Sequence, residues 1–223
     1  MPSRRVIVLC VLLGMLIFGW LRWQYPLLPR QNREPTIPTI NKQPATVASR
    51  TFDPTSPPSD MPPLAYGEDA ECDSDFLFHA TVGGESRQTD ARHATVTITQ
   101  IKIMLQLNIT IWVPTGVTQR IIKHEEGHRQ ISEYYYQTAD NLAERIAATY
   151  MGRQIDITGT DLDVEFNKML QQAATDITAE YNKELSPGST QLYYDAVTDH
   201  GRNQVEVKDA VAAAVENIKI SSI

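Results

Sequence analysis

His124 and His128 lie four residues apart, with Glu125, Glu126 and Gly127 between them. On a helix, residues at that spacing stack on one face, so the two imidazoles can converge on one cation while Glu125 projects about 100° away. Neutral imidazoles are ordinary zinc ligands, zinc acidifies a water, and an adjacent carboxylate can accept the proton. Glu125 is the candidate for that general base. Two histidines in an otherwise apolar stripe lose hydration on burial unless a partner binds them, which favours a metal over two unrelated core residues.

A catalytic zinc takes three protein ligands and keeps one position open. The compact pattern with a third histidine six residues after the second does not apply, because that residue is Tyr134. His200 is the preferred third ligand: it sits in Tyr194-Asp195-Ala196-Val197-Thr198-Asp199-His200-Gly201, read as a polar loop in which Gly201 allows close backbone approach. Asp195 or Asp199 would then orient a ligand imidazole by hydrogen bonding. Asp163 is an alternative ligand, although Thr160 followed three residues later by an acid also reads as a capping box at a helix start. Asp176 and Glu180 on the following helix are the remaining alternatives. Tyr194, with Tyr193 beside it, could donate to a developing oxyanion. His79 and His93 read as surface histidines in or beside strands.

The elements that must position these groups are legible in the hydrophobic period. Phe76 to Val82 and Ala94 to Val113 read as strands. In the second, Val96 and Ile98 alternate on even positions, and Ile101 through Val113 on odd ones. A face change of that kind implies a bulge or tight turn near Thr99 and Gln100. Pro114-Thr115-Gly116 ends the strand, and a helix is expected from Val117 to Tyr150, with both histidines in its inward stripe. A second helix is expected from Asp161 to Leu185, and a last one from Val205 to Ile218. The fold class is α+β, with an antiparallel sheet packed on the long zinc-binding helix and on the second long helix. The long strand before the first helix would pair with an extended substrate by strand addition.

Composition divides the chain of 223 residues into three. Arg4 and Arg5 precede an apolar run from Val6 to Leu21, with Trp20, Trp23 and Tyr25 at its end, so residues 1–23 read as a signal-anchor transmembrane segment. Ten of the thirteen prolines fall between Pro26 and Pro63, so residues 24–63 read as a disordered linker. Residues 64–223 then form the one domain, on the extracytoplasmic side of a single-pass membrane protein. Residues 51–223 carry thirteen Lys/Arg against twenty-six Asp/Glu, which argues against a nucleic-acid partner. Cys10 and Cys72 fall in different segments, so the domain closes no internal disulfide.

His124-Glu125-Glu126-Gly127-His128, followed by Tyr194-Asp195, Thr198 and His200-Gly201 ahead of a last helix, resembles a bacterial domain-of-unknown-function family described as predicted secreted zinc-dependent proteases. The resemblance covers roughly residues 66–218. It implies a zincin-like fold, zinc as cofactor, His124, His128 and His200 as ligands, Glu125 as base, and a peptide or envelope-protein substrate. Two other functions share these residues: a non-catalytic envelope module that retains the metal, and a zinc amidase acting on cell-wall material.

Overall fold

The computed structural model describes residues 37–64 and 67–221, all within one unit, Thr36–Ile223. Five strands form one sheet: β1 (Thr39–Lys42), β2 (Thr46–Phe52), β3 (Glu71–Gln88), β4 (His93–Pro114) and β5 (Gln154–Thr158). Five helices follow the long hairpin: α1 (Gln119–Gln137), α2 (Ala139–Tyr150), α3 (Leu162–Glu184), α4 (Gly188–Thr198) and α5 (Val207–Ser221). The class is α+β.

β4 organises the sheet. On one edge it pairs antiparallel with β3 from Ala94 to Trp112. Its other edge is shared by three short strands set end to end, β5 antiparallel and β1 and β2 parallel. The sheet is therefore mixed, and the expected antiparallel sheet is corrected: alternation dictates which face a strand buries but not the direction of its neighbours. Because both edges of β4 are occupied, the strand open to addition is β3, whose outer edge has no partner strand among the described residues.

The parallel strands come from the segment expected to be a disordered linker. Proline-rich residues 37–63 are ordered instead, as β1, β2 and the turns after Phe52. Of β2 only Phe52 is buried, so hydrogen bonding along β4 supplies what apolar burial does not. The anchor expected at residues 1–23 lies outside the described residues. The transmembrane expectation is corrected, since among the described residues no helix is long and apolar enough to cross a membrane.

Thr99 is the bulged residue: Gly83 pairs with Gln100 and Gly84 with Ile98. A Cβ on Gly84 would meet the Thr97 carbonyl at 2.8 Å, so the bulge needs a glycine opposite it. The resulting face change buries Val96 and Ile98 and then Ile101, Ile103, Leu105, Leu107 and Ile109, all at most 2% exposed. Ile101 to Ile109 meet Ala139, Ala143, Ile146 and Ile177 in one core, while Lys102 and Met104 face water.

The single helix expected from Val117 to Tyr150 is two, joined at Thr138. The histidines belong to the first. Neither proline nor glycine marks this joint, so composition could not reveal it. A smaller core of Ile131, Tyr194, Ala210 and Ala214 holds α4 and α5 against α1.

Candidate metal centre

The segment read as a loop around Tyr194 is the helix α4, started after Pro187 and ended by Asp199 in the left-handed region (φ 48°). Its helical period puts Gln191, Tyr194, Asp195 and Thr198 on the side facing α1. That spacing of i, i+3, i+4 and i+7 was present in the sequence, but three of the four residues are polar, and a search for apolar periodicity passes over them.

Asp195 is the residue that completes the site. His124 Nε2 and His128 Nε2 lie 3.1 Å apart, and Asp195 Oδ1 is 3.4 Å from the first and 2.8 Å from the second. Donors bonded to zinc at about 2.0–2.1 Å in a tetrahedral shell stand roughly 3.3 Å apart, so the trio has the dimensions of a zinc shell. Asp195 Oδ1 is buried and makes no hydrogen bond of acceptable geometry, despite its closeness to the rings. Its closest neighbours are the two imidazoles at ion-pair distance, and a buried carboxylate oxygen so placed is suited to a shared cation.

Both rings are held so that Nε2 is the free donor. His128 Nδ1 lies 2.6 Å from Gln191 Oε1, to which it donates; the Gln191 amide in turn donates to the His128 carbonyl and to Ser132 Oγ. Ser132 is fully buried, 2.8 Å from Ser74 of β3. Thr198 Oγ1 donates to the Tyr194 carbonyl and lies 3.3 Å from His124 Nδ1, from which it accepts. Partners on the far nitrogen fix tautomer and ring orientation, as they do at metal sites generally. Gln191 and Ser132 carry no charge or unusual residue type that would single them out in the sequence, and Thr198 stands there only as a motif position with no role attached.

Without a cation the site compensates electrostatically. Burial disfavours the His128 cation, but the adjacent Asp195 outweighs it and lifts the ring to about 9. Burial also resists ionisation of Asp195, and the two imidazoles override it, holding the carboxyl at about 2. Glu125 is 1% exposed. Burial first, and then Glu68, Glu71 and Asp195, push its carboxyl up to about 8, against the opposing pull of His128.

His200 stands apart from the trio. His124, His128 and Asp195 offer donor atoms within 4.8 Å of one another, whereas His200 does so with Glu68 and Asp195. Its Nδ1 bonds Glu68 Oε1, and its own backbone is left-handed (φ 53°). Among the described residues, the donor group that contains both helix histidines is completed by Asp195, expected to orient an imidazole, and His200, expected as third ligand, groups with Glu68 and Asp195 instead. Asp163 follows the N-cap, where Asp161 rather than Thr160 accepts from the Asp163 and Val164 amides. Asp176 accepts from Gln172 and Glu180 from Tyr150, and among the described residues none of these three acids joins a donor group. Glu126 pairs with Arg129, and His93 with Asp90.

Tyr194 is corrected as an oxyanion donor. It is fully buried, stacks on the His124 ring at 5.0 Å between centroids, and donates to the His124 carbonyl at 3.1 Å. Its hydroxyl occupies the space beside Gly127, where a Cβ would land on it. Gly201 plays a similar part, since its Cβ would stand 2.8 Å from that of His124. Gly127→Ala is accordingly expected to destabilise the chain by about 1–3 kcal/mol through overpacking, read as a lower denaturant midpoint, and to weaken zinc binding by displacing Tyr194 from His124. A variant with unaltered midpoint and metal affinity would disprove this account of Gly127.

A cavity of about 290 Å³ opens beside the trio, lined by Glu125, His128 and Asp195 on the helices and by Cys72, Ser74 and Phe76 on β3. Compared with family models, curated proteins and solved structures, the chain matches none. The functional reading rests on the residues alone.

Proposed function

We propose that this chain is a zinc-dependent hydrolase, a metallopeptidase in which His124, His128 and Asp195 hold the ion and Glu125 is the general base. The observation that carries this reading is the meeting of two Nε2 atoms and a buried carboxylate oxygen at donor-shell distances. Zinc would supply Lewis acidity there, acidifying a water and polarising a substrate carbonyl.

The chain's own groups support the rest. Glu125 lines the cavity with Oε1 buried and unpartnered, so it has an acceptor for a proton and a position from which to pass it to a leaving amine. Gln191 and Thr198 keep the rings in the orientation that presents Nε2. The outer edge of β3 runs along the cavity at Cys72–Phe76, and an extended peptide hydrogen-bonded to it would lie across the centre. The packing of α1 against β3 through Ser132 and Ser74 supports the proposal of a zincin-like arrangement.

The test is removal and return of the ion. The purified chain is expected to carry about one zinc, to lose peptide hydrolysis on chelation and to regain it with zinc. A chain that takes up zinc and cleaves nothing across a peptide library would sink the peptidase reading and leave a metal-binding module.

A further inference from the structure

We infer that the cavity beside the metal centre selects peptides carrying lysine or arginine next to the bond to be cleaved; the inference rests on the hydrolase reading above. Five carboxyl side chains line it, those of Glu68, Glu71, Asp73, Glu125 and Asp195, and among the described lining residues there is no lysine or arginine. Glu125 separates this cavity from an ordinary acidic surface. It is 1% exposed, lines the cavity, and its Oε1 is buried without a hydrogen-bond partner.

Part of this charge has local work: Asp195 stands between the histidines, Glu68 bonds His200, and Glu71 is also engaged. Asp73 is exposed and Glu125 Oε1 has no hydrogen-bond partner, so carboxyl groups remain for an incoming cation. A walled, low-dielectric cavity of one sign concentrates field lines and raises the local concentration of opposite charge. An acidic side chain entering it would meet repulsion and lose its hydration together. Ala70, Phe76 and Pro187 supply apolar wall as well, which suits the methylene stem of a lysine or arginine whose head reaches the carboxylates.

Short labelled peptides differing at one position, Lys, Arg, Leu or Glu, would be titrated with the zinc-loaded full-length chain by fluorescence anisotropy, and each sample checked for cleavage by mass spectrometry. The Lys and Arg peptides are expected to bind at least about tenfold more tightly than the Leu peptide, and the Glu peptide most weakly. Added salt should shrink that spread, as should Asp73→Asn, a change at an exposed position of β3. Equal binding of the four, a preference for Leu or Glu, or no binding of any peptide would overturn the inference. Charge-selective binding without cleavage would leave it standing and remove the hydrolase reading, whereas cleavage indifferent to charge would do the reverse.

Discussion

Asp195→Ala is expected to lower zinc affinity by at least about 100-fold, the upper range for losing even a supporting partner of a metal ligand, while His200→Ala keeps close to one zinc per chain. Asp195 Oδ1 is the third corner of the donor set, and removing it leaves two imidazoles, too few for a catalytic shell. The carboxylate also balances the charge of His128 in the metal-free chain, so the variant should be less stable before any metal is added. Metal content after gel filtration, measured for both variants beside the parent, decides the matter. Zinc retained by the Asp195 variant and lost by the His200 variant would return the third position to His200.

Glu125→Gln is expected to reduce hydrolysis by about 10²–10⁴-fold, the usual contribution of general base catalysis, with zinc content unchanged. Glutamine keeps the shape and loses the capacity to accept a proton. Stability should respond in a definite direction, because the carboxyl is raised from 4.5 in a solvated chain to about 8 in the fold. The metal-free folded state holds this proton more tightly, so the group's contribution is complete below pH 4.5 and is lost as pH rises through about 8. Glu125→Gln should flatten that part of the fall in melting temperature. An active Gln variant would exclude Glu125 as the base, and an unchanged pH profile would exclude the buried proton.

Much of this centre could be read from the amino-acid order, because its donors follow the strongest local rule available, two histidines one helical turn apart. The irregularity at Thr99 is equally legible, since a one-residue phase slip in a strand requires a bulge or a tight turn. Asp195 was harder. The segment around it lacks the apolar period of a helix and reads as a loop, which leaves Asp195 near the metal only as the group that orients an imidazole. β1 and β2 were beyond reach for a different reason. They bury little of their own, and their stability comes from pairing with a strand more than fifty residues away, about which local composition carries no information. His200 has the chemistry of a ligand and the spacing of one. Only the left-handed turn at residues 199–201 and its bond to Glu68 set it outside the trio.

The donor set also bears on how the fold is held together. Two donors come from α1 and the third from α4, whose buried apolar core with α1 and α5 is small, one isoleucine, one tyrosine and two alanines. An ion bound across them is a removable cross-link between distant points of the chain, closing a loop that contains α2, β5 and α3. Its binding free energy is then folding free energy for the C-terminal helices. Withdrawing the metal would do more than silence a reaction: it would loosen about the last sixth of the chain from the sheet-bearing body and make its proteolytic survival a measure of zinc supply.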